Sequence, residues 1–123
     1  MNDEQKELVR KVKYLQQQPE VFLTKILGEE SLEEYHKRIC AEIVQYDRLA
    51  IKACHAVGKT WIMGRLTLWF NNCFKNSIVI TTAPTNRQVE TLLWGEIRKA
   101  HRRSVTRLGG KLLNKKLTIP YKL

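Results

Sequence analysis

Eight consecutive residues, Ala53-Cys54-His55-Ala56-Val57-Gly58-Lys59-Thr60, have types and spacing that could do chemistry. The form is Ala/Gly, four variable positions, then Gly-Lys-Thr, which is that of a phosphate-binding loop. A triphosphate must be held by several backbone N–H groups at once. A concave loop opening onto a helix N-terminus supplies them, aided by the positive end of the helix dipole. Gly58 lets backbone and phosphate approach closely, because it has no Cβ. Lys59 would reach the β- and γ-phosphates, and Thr60 would place its hydroxyl on a bridging magnesium ion. Ala53 replaces the usual first glycine, which the loop accepts only if φ stays negative there.

Such a loop has meaning only between a strand and a helix. Arg48 to Ala53 reads as that strand, and Lys59 to about Cys73 as a helix apolar on more than one side, as expected of an element held between layers. Ser77-Ile78-Val79-Ile80-Thr81-Thr82 is β-branched and apolar in its middle, the pattern of a strand covered on both faces. A strand–helix–strand unit requires a crossover, so the two strands are expected to be parallel. The expected fold is therefore α/β, a small and incomplete parallel sheet of P-loop type with helices on both faces and an unpaired strand edge.

Residues 1–46 read as a helical lead-in and 47–123 as the N-terminal part of the nucleotide-binding domain. Leu8, Val12 and Leu15 give residues 3 to 17 a helical period that Pro19 ends. Val21 to Leu27 forms a short helix stopped by Gly28. Ser31 to Glu34 has the form of a capping box for a helix reaching Gln45 and burying Leu32, Ile39 and Ile43. Tyr35 and His36 stand where many nucleotide motors place an adenine-contacting pair. The alternative, preferred for His36, is that Tyr35 packs and His36 is solvated. Thr85 to Gln88 is a second capping box, opening a helix to about Arg103, with Trp94 packed in the core. Lys111 to Ile119 reads as a hairpin turning near Asn114 and Lys115.

The chain has 123 residues and a formal net charge of +10. One domain of this charge points to a polyanionic partner. After Glu96 there is no acidic residue, and the basic run from Arg98 to Lys122 could track a nucleic-acid backbone or be a solvated face. Three cysteines, Cys40, Cys54 and Cys73, show no metal-ligand spacing and suggest a reducing compartment. No apolar run is long enough to span a bilayer, and the N-terminus lacks a signal-peptide core, so a cytoplasmic protein is expected.

The segment from Arg48 to Trp61 resembles the ATP-binding segment of large terminase subunits of tailed bacteriophages. The block from Ser77 to Val89, with Thr-Thr-Ala-Pro-Thr, and the following Leu92-Leu93-Trp94-Gly95-Glu96-Ile97-Arg98 extend the resemblance. It is strong from Arg48 to Arg98 and weaker elsewhere. It implies a P-loop ATPase, the motor that drives double-stranded DNA through a portal into a procapsid. ATP and Mg would be its cofactors. The small terminase subunit and the portal protein would be its partners in the host cytoplasm, with homo-oligomers of the full-length protein. Residues 53 to 60 and Tyr35 would bind nucleotide, Lys59 and Thr60 would act in catalysis, and Thr82, Pro84 and Thr85 would face or couple to DNA. The family pattern also needs an acidic pair ending a third strand and a nuclease domain, and neither occurs in this chain. The chain therefore reads as an N-terminal portion, with turnover by it alone left open. The competing reading is a remnant basic module that binds DNA without turning over ATP.

Overall fold

The computed structural model describes residues 2–52, 58–82, 88–106, 108, 111–112 and 117–118. Helix α1 (Asp3–Gln17) opens on a reciprocal cap: the Gln5 N–H donates to Asn2 Oδ1 at 2.8 Å and the Asn2 N–H to Gln5 Oε1 at 3.0 Å. Pro19 starts the short α2 (Pro19–Val21), which widens into a π-helical turn, Phe22–Ile26, burying Phe22 and Leu23. Gly28 then reverses the chain at φ +81°, and a Cβ there would lie 2.5 Å from Val105 Cγ2. Only glycine satisfies both the left-handed backbone and that close approach.

Helix α3 (Glu34–Gln45) is capped by Glu33, not by Ser31 as the sequence suggests. The partner closing the box is His36, whose ring accepts the Glu33 N–H. Ile39 and Cys40 are buried, whereas Leu32 and Ile43 are only partly so.

Helix α4 (Lys59–Cys73) is the centre of the molecule, as its all-round apolar sequence anticipates. It buries Ile62, Leu66, Leu68, Trp69 and Cys73 among apolar neighbours from the other helices. On one side α1 is fastened to it by two polar contacts. The Trp69 indole N–H donates to the Leu15 carbonyl at 2.7 Å, and Gln16 Nε2 to the Cys73 carbonyl at 2.7 Å. On the other side lies α5 (Trp94–Arg103), preceded by a π-helical segment, Gln88–Leu93. The two helices cross closely because of Gly64: a Cβ there would sit 3.2 Å from Glu96 Cβ and 3.3 Å from the Ile97 nitrogen. Trp94, Ile97 and Ala100 face inward at this crossing. Burial pushes the Cys40 and Cys73 thiols up to about 12, so both behave as small apolar fillers.

The expected parallel sheet is not formed. Residues 48–52, which begin in a bend, and residues 77–82 adopt no regular secondary structure and make no ladder with one another. Among the described residues the strands are β1 (Lys111–Leu112) and β2 (Leu117–Thr118), an antiparallel pair with Lys111 opposite Thr118 and Leu112 opposite Leu117. Ile78 and Ile80, expected to be sheet core, are 81% and 83% exposed. The physical reason is that parallel strands are stable within a sheet covered on both faces. Two short segments, with no third strand beside them among the described residues, gain too little from pairing to offset the ordering of their backbones.

Arg65 ties the helices together from within. It is 1% exposed. Its Nε donates to Glu29 Oε1 at 3.0 Å and its Nη1 to Glu96 Oε2 at 2.6 Å. Its guanidinium carbon also lies 4.3 Å from the centre of the Trp61 ring. A buried cation is tolerated only with such compensation. Arg65→Leu is expected to cost about 2–3 kcal/mol, below the usual figure for breaking a buried pair because both carboxylates keep contact with water. Urea denaturation of the two proteins measures the difference.

Candidate functional site

The N-terminus of α4 gathers the chemistry-bearing residues that the structure describes. Gly58 is its N-cap, in the left-handed region at φ +81°, ψ 21°. The Gly58 carbonyl accepts the Ile62 N–H at 3.0 Å, the first bond of the helix. By helix geometry the N–H groups of Lys59, Thr60 and Trp61 have no carbonyl within the helix to meet. No acidic residue occupies this first turn, so the positive end of the dipole is not neutralised from within the helix. Lys59 is exposed and Thr60 partly so. The nominated residues Ala53, Cys54, His55, Ala56 and Val57, with Pro84 and Thr85, lie outside the described residues. Thr82 is exposed, in no regular secondary structure, and unpaired with any strand among the described residues.

Tyr35 and His36, on the first turn of α3, are brought to this helix end. A Cβ at Gly58 would lie 2.7 Å from Tyr35 Oη and 3.3 Å from His36 Nε2. The rings of Tyr35 and His36 are 4.1 Å apart, and His36 is 4.8 Å from Trp61. Trp61 in turn carries the Arg65 guanidinium. A continuous column therefore runs from Tyr35 through His36 and Trp61 to Arg65.

His36 is not solvated, as its sequence context suggests, but only 6% exposed. A lone histidine on a helix gives no signal of burial. The one legible hint is its position three residues after Glu33, where it can close a cap. The Glu33 N–H donates to His36 Nδ1 at 3.2 Å. Nδ1 is therefore unprotonated, and in the neutral ring the proton sits on Nε2. That Nε2–H is buried and has no hydrogen-bond partner among the described residues. Burial lowers the ring's pKa from 6.5, and the nearby Arg65 charge acts in the same sense. The Glu33 carboxylate and the Gly58 backbone oppose them. The Gly58 backbone is near enough to favour the charged ring, yet it meets Nε2 at no hydrogen-bonding geometry.

Lys59, the first-turn N–H groups of α4 and the His36 Nε2–H are donors or positive charge and fit an anionic oxygen ligand, and the Glu33 carboxylate beside His36 is the opposing charge. They fit a magnesium ion less fully. Thr60 offers a single hydroxyl, and among the described residues no cluster of three His, Cys, Asp or Glu could hold a metal. A separate cavity of about 690 Å³ lies on another side of α4, lined among others by Ile43, Leu49, Met63, Phe70 and Ile80. It includes none of the residues nominated from the sequence.

Because the folded chain holds His36 neutral, the unfolded chain binds more protons between the lowered folded pKa and 6.5. The stability contributed is complete above 6.5 and is lost as pH falls through that window. Chemical denaturation from about pH 7.5 to about pH 5 should show this loss, and His36→Gln should remove that part of the slope. Compared with known proteins, the chain matches no family model, no curated sequence and no solved structure.

Proposed function

We propose that this chain binds the phosphate tail of ATP at the start of α4, as the nucleotide-binding segment of a DNA-packaging motor of the large-terminase type. The observation that supports it is Gly58, held in the left-handed conformation directly before Lys59 and Thr60 at the head of a fifteen-residue helix. The helix that starts after it directs its first-turn N–H groups outward along the axis, where an anion is favoured. The motif and the blocks from Ser77 to Arg98 supply the family reading. The parallel sheet forms no part of the proposal.

In this reading Lys59 and the α4 amides bind the phosphates, and Tyr35 adjoins them at Gly58. The Thr60 hydroxyl is the group the chain would offer to magnesium, with phosphates and water completing the shell. When bound, magnesium would neutralise charge on the phosphates. Binding rather than turnover is the activity proposed, because the acidic pair that hydrolysis needs is missing from the sequence. Double-stranded DNA, a small terminase subunit and a portal protein are the partners of the whole motor under this reading. A non-hydrolysable fluorescent ATP analogue should bind the wild-type chain and bind Lys59→Ala at least about tenfold more weakly, as expected when one charge-assisted hydrogen bond is removed. Equal affinity for both proteins overturns the proposal.

A second reading is supported by α5. Its buried stripe of Trp94, Ile97 and Ala100 turns Lys99, Arg102 and Arg103 outward at helical spacing. With the chain's net charge of +10, this face suits a phosphate backbone. Reversing the charge of Arg102 and Arg103 to Glu should weaken binding to duplex DNA and flatten its salt dependence, by about one unit of slope for each phosphate no longer neutralised. Fluorescence anisotropy across a salt series tests this, and Lys59→Ala should leave that affinity unchanged.

A further inference from the structure

We infer that His36 is a ligand-contacting residue of the α4 site, donating its Nε2–H to a phosphate oxygen of a bound polyphosphate. The inference rests on the phosphate-binding reading of α4 and adds to it a donor from outside the loop motif. Three observations converge. The Glu33 N–H occupies Nδ1 and so directs the proton of the neutral ring to Nε2. That N–H is buried without an acceptor among the described residues. Its nitrogen adjoins Gly58, where an added Cβ would lie 3.3 Å from it.

A buried donor left unsatisfied is costly, and native proteins keep few of them. An acceptor arriving at the head of α4 would satisfy this donor and the first-turn amides together. The sign of that ligand follows from the same groups. Lys59, the helix N-terminus and the Nε2–H all favour an anion, and none can accept from a cation or an amine. Arg65 does not compete for it, because Glu29 and Glu96 already take its charge. The other groups facing His36 are the Gly58 backbone, which favours the charged ring without meeting Nε2 at hydrogen-bonding geometry, the Glu33 carboxylate, the Tyr35 ring and the Trp61 ring. Trp61 holds the imidazole plane, and the Glu33 amide holds its tautomer. Tyr35 adjoins the same point, its Oη lying 2.7 Å from a Cβ added at Gly58.

Inorganic tripolyphosphate, which has neither base nor sugar, is the probe, with ATP and adenosine as companions. Isothermal titration should give tripolyphosphate and ATP affinities that fall about ten- to hundredfold in His36→Phe, which keeps a ring but has no donor. His36→Gln, whose amide nitrogen can replace Nε2, should stay within about threefold of wild type. Thermal melts establish that both variants fold. In wild type with histidine labelled by 15N, the Nε2–H resonance should move downfield and exchange more slowly as tripolyphosphate saturates the site. That measurement stands even if a variant does not fold. Unchanged affinity in a folded His36→Phe, or an Nε2–H signal indifferent to tripolyphosphate, overturns the inference while Lys59-dependent binding keeps the underlying reading. Adenosine binding that needs His36 while tripolyphosphate binding does not assigns the donor to the base and also overturns it. A wild-type chain that takes up neither tripolyphosphate nor ATP removes both.

Discussion

The guanidinium of Arg65, sealed inside the helices, is the constraint on which the arrangement turns. A cation with 1% exposure persists only where its charge is answered at short range. Here the answers come from different parts of the chain: Glu29 before α3, Glu96 on α5, and the π-face of Trp61 on α4. Satisfying that one charge therefore fixes how α5 and the segment leading into α3 sit against the first turns of α4. Trp61 then supports His36, and His36 reaches Gly58. The packing of the core and the geometry of the candidate site are thus joined through one run of tilted rings that ends on the guanidinium.

Helix α4 can serve as that centre because it has buried surface on several sides. Gly64 lets α5 approach, and Trp69 lets α1 dock with its indole N–H satisfied by a carbonyl. The irregular segments around Leu49 and Ile78 lie along a further side, where they border the apolar cavity. Their β-branched residues suit a sheet, but a residue type that favours pleated surfaces does not supply the neighbouring strand. The exposed Ile78 and Ile80 are the result.

Much of the helical frame is legible locally. Pro19 and Gly28 mark boundaries through backbone sterics alone, and the periods of α1, α4 and α5 follow from apolar spacing. The hairpin strands fall within the stretch expected of them. At the candidate site, the start of α4 at Lys59 is legible from the apolar run that follows it, whereas the left-handed backbone of Gly58 is a finding of the structure. The cap of α3 is misleading in sequence, since Ser31 and Glu34 satisfy the usual pattern while Glu33 and His36 satisfy the actual one. The burial of His36 is not readable at all. It depends on Tyr35, Trp61 and Gly58, of which two are more than twenty residues away.

The sequence by itself determined the breaks at Pro19 and Gly28 and that a helix with no acidic residue in its first turn follows Gly58, because those properties depend on neighbours within a turn or two. Tertiary structure alone decided whether the β-branched segments pair, which carboxylates neutralise Arg65, and which ring nitrogen of His36 carries the proton. Each of these depends on groups beyond the local turn. Their energies come from desolvation and charge compensation, and these exist only once the helices have met.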